Sequence, residues 1–122
     1  MTENTKRFDL EERTLLFAKK VRVFVSSLPK TVANLEDIKQ LIRASGSVGA
    51  NYIEANESLS KKDFYMRIKI CRKEAKESGY WLRLVDVGTA QALKAERDAL
   101  IQEAHELTCI FGAIVSKASK NA

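Results

Sequence analysis

The chain has 122 residues, 45% of them hydrophobic and 30% charged, with one proline, five glycines and two cysteines; that suffices for one domain whose core needs neither disulfides nor metals. No apolar run approaches the ~20 residues that cross a bilayer, and the opening MTENTKRFDLEERT lacks the apolar core and cleavage site of a signal peptide, so a cytoplasmic protein that does not engage a membrane is expected. The net charge of +5 is unevenly spread: residues 61–83 carry +5 by themselves, against +3 for 1–33, −2 for 34–57 and −1 for 84–122.

The first helix is expected over about 8–28. Leu10, Thr14, Phe17, Val21, Phe24 and Leu28 recur at alternating four- and three-residue steps, which places them on one helical face. Leu15, Ala18 and Val25 widen that stripe to the breadth a bundle helix needs, and Pro29 ends it by pushing its predecessor out of the α region. The second helix is expected over 34–57, capped by Asn34 with Asp37 three residues on. Its inward face is Ile38, Leu41, Ala44 or Ser45, Val48, Asn51 or Tyr52, and Ala55. Gly46 and Gly49 each cost ~1 kcal/mol in a helix interior relative to alanine, a cost that implies another backbone close by.

Ser60, with Asp63 three residues later, reads as the cap of a third helix over 60–86. Phe64, Ile68, Cys71, Ala75, Ser78, Leu82 and Val85 form its core seam. Met66, Ile70, Trp81 and Leu84 form a second apolar edge, interrupted by Glu77, and a helix apolar on two sides has a second surface to bury; these four are the candidate contacts of a homo-oligomer. Gly88 marks a C-terminal cap. The fourth helix, about 95–117, carries a seam of Leu93, Leu100, Ala104, Leu107, Phe111, Ile114 and Ala118. Long helices with short connections favour antiparallel neighbours, so the fold class is all-α, an up-down-up-down four-helix bundle.

Catalytic constellations are missing from the sequence. A di-metal carboxylate site on such a bundle needs two Glu-x-x-His motifs, and the chain has one histidine, His105, with Gln102 three residues before it. No GxSxG turn or phosphate-cradling glycine loop is present. Cys71 and Cys109 read as buried free thiols in a reducing compartment. No enzymatic activity, metal or cofactor is therefore expected. Asn51 and Glu54, on or beside the apolar stripe of the second helix, need partners if buried. Arg72 and Lys76 are the expected mates, and Arg43 joins them in a structural polar network.

Lys62, Lys69, Lys73, Lys76 and Arg83 follow steps of seven, four, three and seven, so they share one face of the third helix, with Arg72 beside them. Such a row suits phosphates and predicts salt-sensitive contact with RNA or DNA. Tyr65, Tyr80 and Trp81 on the same helix are of the type that stacks on bases. The competing expectation is an ordinary solvated face on a structural oligomer whose partners are proteins.

The motif RASGSVGANYIEA, from Arg43 to Ala55, followed by KKDFYMRIKICRKEAKESGYWLRL and by LIQEAHELTCIFGAIV from Leu100 to Val115, resembles the bacterial four-helix bundle family encoded in intervening sequences of 23S ribosomal RNA genes, also labelled S23. The resemblance spans about residues 8–118. The family's usual IAEG ending is IEANES here, and Gly79 stands where relatives carry a larger polar residue. The resemblance implies a cytoplasmic bundle that assembles into rings, commonly pentamers, and kinship with the nucleic-acid-binding accessory proteins of diversity-generating retroelements. It implies no enzymatic activity.

Overall fold

Side-chain caps set the starts of the two central helices. In a computed structural model, which describes the backbone of residues 2–121 and the side chains of residues 9–117, α1 spans Thr2–Ser26, α2 Val32–Asn56, α3 Lys61–Leu84 and α4 Gln91–Asn121. The expected start of the first helix at Phe8 and the seam residue Ala118 lie outside the described side chains. Thr31 caps α2, its hydroxyl accepting from the Asn34 N–H. The Ser60 hydroxyl caps α3 by accepting from the Asp63 N–H, as the sequence predicts. Gly88 does not cap a helix; Val85 ends α3. Gly88 takes φ +68° in the α3–α4 turn, where its N–H donates to Asp86 Oδ1, a conformation that only glycine adopts without strain.

Contacts along the helices fix the direction of each. A Cβ placed on Gly49 of α2 would stand 2.9 Å from Thr14 Oγ1 of α1, the close approach that its glycine permits. Asn51 of α2 meets Arg67 of α3, and Arg43 meets Glu74. Gly79 of α3 lies against Ala104 of α4, and Gly112 of α4 against the stem of Arg72. Arg13 of α1 reaches Glu103 of α4. Gly46 of α2 lies in turn near Arg22 of α1, so in each consecutive pair of helices the partner numbers run in opposite directions; three successive reversals leave α4 antiparallel to α1 as well, and the chain is an up-down-up-down bundle. α1 packs on α2 and α4, and α3 on α2 and α4, with the diagonals filled by core side chains such as Tyr52 and Phe111, whose rings lie 5.7 Å apart.

The predicted seams form the core. Phe17, Val21, Phe24, Leu41, Val48, Ile68, Leu82, Leu107 and Phe111 are fully buried, each contributing roughly 1.5–3 kcal/mol by leaving water. Two expectations change. Leu15 does not widen the α1 stripe: it is 47% exposed, because the helical turn carries it to the side away from Phe17, Val21 and Phe24. Trp81, on the second apolar edge, is half-buried and packs against the bundle's own core. Asn34 does not cap α2. Lying one turn inside it and almost wholly buried, it donates through Nδ2 to the carbonyls of Pro29 and Asp86, and its Oδ1 accepts from the Asp86 N–H. One side chain thus ties the α1–α2 connection to the end of α3.

Candidate nucleic-acid interface

The face of α3 opposite the core carries Lys62, Lys69, Lys73, Lys76 and Arg83, all exposed, with exposed Arg72 on the edge beside α4. At ~1.5 Å per residue the row runs ~32 Å along the helix. Its acidic neighbours are turned aside. Glu74 is 6% exposed, and Arg43 of α2 draws both carboxylates toward itself, with NH1 3.6 Å from Glu74 Oε2 and NH2 3.5 Å from Glu77 Oε2. Asp63 belongs to the first turn, under the cap. Two tyrosines interrupt the row. Tyr80 is 57% exposed and meets Trp81 edge-on with centroids 5.1 Å apart; half-buried Tyr65 meets Phe64 in the same way at 5.2 Å.

The polar network differs from the expected one. Asn51 donates to the Ser47 carbonyl and accepts from Arg67 NH1 at 3.0 Å. Arg72 lies instead over Gly112 on the α4 side of α3, and Lys76 points into solvent. Glu54 is exposed. The deeply placed carboxyl is Glu74, whose Oε1 has no hydrogen-bond partner within the chain. Burial foremost, then the neighbouring Glu77 carboxylate, raise its pKa against the opposing pull of Arg43 and Lys73. Of the second apolar edge, Met66 and Leu84 are 52% and 49% exposed, and Ile70 is half-buried.

Elsewhere, Arg13 forms a fork to Glu103 through Nε and NH2, both at 2.8 Å, and reaches Glu106 at 2.9 Å. That fork closes one end of a groove of about 690 Å³ between α1 and α4, floored by Phe17 and Leu100 and edged by Leu16 and Val23. Cys71 is buried as expected, and desolvation pushes its thiol up to about 12. Cys109 is not buried: it faces solvent on α4, 3.7 Å from His105 Nε2 one turn earlier. Among the described residues, His, Cys, Asp and Glu nowhere gather in threes to hold a metal, and no helix is long and apolar enough to cross a membrane.

Residues 6–112 match the model of the 23S rRNA-intervening sequence protein family. The chain belongs to this family. Its fold is that of a crystal structure from Bacteroides thetaiotaomicron, a protein of unknown function from the S23 ribosomal protein family. The two are 26% identical, with a TM-score of 0.74 over 86% of this chain and 96% of the other. No curated protein matches the sequence.

The partners that periodicity missed follow from hairpin symmetry. The α2–α3 turn centres on Leu59, and residues equidistant from it face each other: Asn51 and Arg67 each stand eight residues away. Glu74, fifteen residues after Leu59, falls opposite Ala44 by the same count, one residue from its partner Arg43. Arg72 and Lys76 fall opposite Gly46 and Ile42 by that count. The Ser60 cap, legible in the sequence, supplies the centre.

Proposed function

We propose that this protein is a non-enzymatic, cytoplasmic scaffold that self-associates and contacts the phosphates of RNA or DNA through Lys62, Lys69, Arg72, Lys73, Lys76 and Arg83. One observation carries the reading: the exposed cations of α3 occupy an outer face from which Glu74 and Glu77 have been drawn away by Arg43. A helix that merely needed solubility would gain from interspersed acids and their i,i+4 pairs. Here Glu74 and Glu77 pair with Arg43 across the α2–α3 seam, and the row keeps a net positive charge. The family's name, taken from an element within ribosomal RNA genes, is consistent with a nucleic-acid partner.

Exchanging Lys69→Glu together with Lys76→Glu tests the surface. Retention of a mixed RNA at low salt should be lost while the mass by light scattering and the helical signal stay unchanged. In wild type each phosphate contact contributes roughly −0.7 to −0.9 to the slope of log K against log salt. RNA binding that survives the double reversal would place the contact elsewhere.

A second reading rests on Met66, Ile70 and Leu84. This apolar edge, half-exposed beside the basic row, fits an oligomer whose role is protein–protein interaction alone. Under that reading the charge reversal changes nothing, whereas disruption of the edge changes mass.

A further inference from the structure

The geometry points to an unpaired strand, rather than a duplex, as the nucleic acid that the outer face of α3 holds, with Tyr80 stacking on a base. The inference rests on the phosphate-contacting reading above and adds what the phosphates cannot supply: a choice of strand state.

The row of cations has two gaps. Lys62 to Lys69 and Lys76 to Arg83 are each seven residues, or ~10 Å along the helix. A tyrosine stands in each: Tyr65 in the first, Tyr80 in the second. Tyr80 follows Lys76 by four residues and precedes Arg83 by three, so it shares their face. Neither ring dangles. Trp81, packed against the bundle core, meets the Tyr80 ring edge-on, and Phe64, packed against the same core, does so for Tyr65. A ring fixed in place loses less rotamer freedom when a base lies on it. Tyr80, with more than half its surface in solvent, is the open member of the two; Tyr65 is half-covered.

Cations alternating with anchored aromatic rings on one face are the arrangement that binds single strands: the charges follow the backbone, and each ring takes the face of a base. A paired duplex offers no free base face. Its bases are stacked internally and present only their edges, and the major groove of A-form RNA is too deep and narrow for a side chain on a helix surface to enter. A tyrosine projecting amid the phosphate contacts is therefore without a partner on a duplex and gains one on an unpaired strand. Ribose and deoxyribose strands share this chemistry, so both sugars belong in the test.

The experiment compares an unstructured oligonucleotide with a fully paired hairpin of equal phosphate number, closed by a non-nucleotide linker, each as RNA and DNA, binding wild type, Tyr80→Ala, Tyr80→Phe and Lys69→Glu/Lys76→Glu. Wild type should prefer the unpaired strand. Tyr80→Ala should weaken unpaired-strand binding by roughly 5- to 150-fold, the range of one lost base stack, and leave hairpin binding in place. Tyr80→Phe, which keeps the ring, should restore the preference and so separates stacking from any effect on folding. The emission of Trp81, the chain's one tryptophan, should change on adding the unpaired strand to wild type and not on adding the hairpin. Equal affinity for both forms, or a preference that Tyr80→Ala leaves intact, overturns the inference, while loss of all binding in the charge-reversed protein would still uphold the phosphate contacts. If wild type binds neither form, both readings fall.

Discussion

Glu74 shows how one residue's ionisation can be set by its placement between helices. It lies on the side of α3 that meets α2, where water is excluded, and Arg43 approaches only one of its oxygens. A carboxyl whose pKa is raised by folding takes up protons as the chain folds. Its contribution to stability is complete below the ordinary glutamate range and is lost as pH rises through the raised value. Glu74→Gln removes that loss, and Arg43 retains Glu77. The variant is expected to match wild type in urea denaturation at acidic pH and to exceed it by about 1 kcal/mol at neutral pH, the low end of the cost of a buried unsatisfied acceptor. A difference that does not vary with pH would refute this account. Cys71 and Cys109 make the same point about placement: two thiols on helices, one sealed by the core and one open beside His105.

Between elements, the decisive contacts are few and polar. Hydrophobic seams hold α1 to α4 in register only loosely, since any row of apolar residues slides along another; Gly49 against Thr14 and the Arg13 fork specify the positions. Asn34 specifies the ends. Replacing it with alanine would strand two carbonyls and one N–H in a buried junction, at about 2–3 kcal/mol for the set. A fall in melting temperature of about 10 °C is expected, with the helical signal of the folded state retained. A shift of only a degree or two would mean that water replaces the lost bonds. The periodicity of α2 already marked its inward face, but Asn34 reads as a cap in sequence because asparagine caps helices well. Its actual role depends on Asp86, fifty-two residues away, and no local pattern registers a partner at that distance.

For the whole molecule, charge and apolar surface are arranged on different sides of one helix. The core takes one face of α3, the cations the opposite face, and Met66 and Leu84 stand between them, about five turns apart. The proposed self-association through this edge is tested by Met66→Glu with Leu84→Glu. Light scattering should then report a single chain, with folding intact because neither residue belongs to the core. An unchanged mass would move the interface elsewhere, for instance to the α1–α4 groove. Multivalent display would also multiply a weak phosphate site through effective concentration, so the same variant should weaken binding to long RNA more than to short oligonucleotides.

The sequence alone determined the four helices, their apolar seams, the Ser60 cap and the alignment of the cations on one face of α3, together with the family resemblance that the family match bears out. These depend on spacing within a single helix, and the 3.6-residue period records that directly. Tertiary structure decided which neighbour covers each face. It turned Cys109 out, packed Trp81 against the core, gave Asn51 to Arg67, buried Glu74 under Arg43, and left Tyr80 open within the basic row. The physical reason is that these outcomes are set by the register between helices, fixed by hairpin symmetry and by single close approaches such as Gly49 on Thr14, and side chains that meet across a seam carry no common period in the sequence.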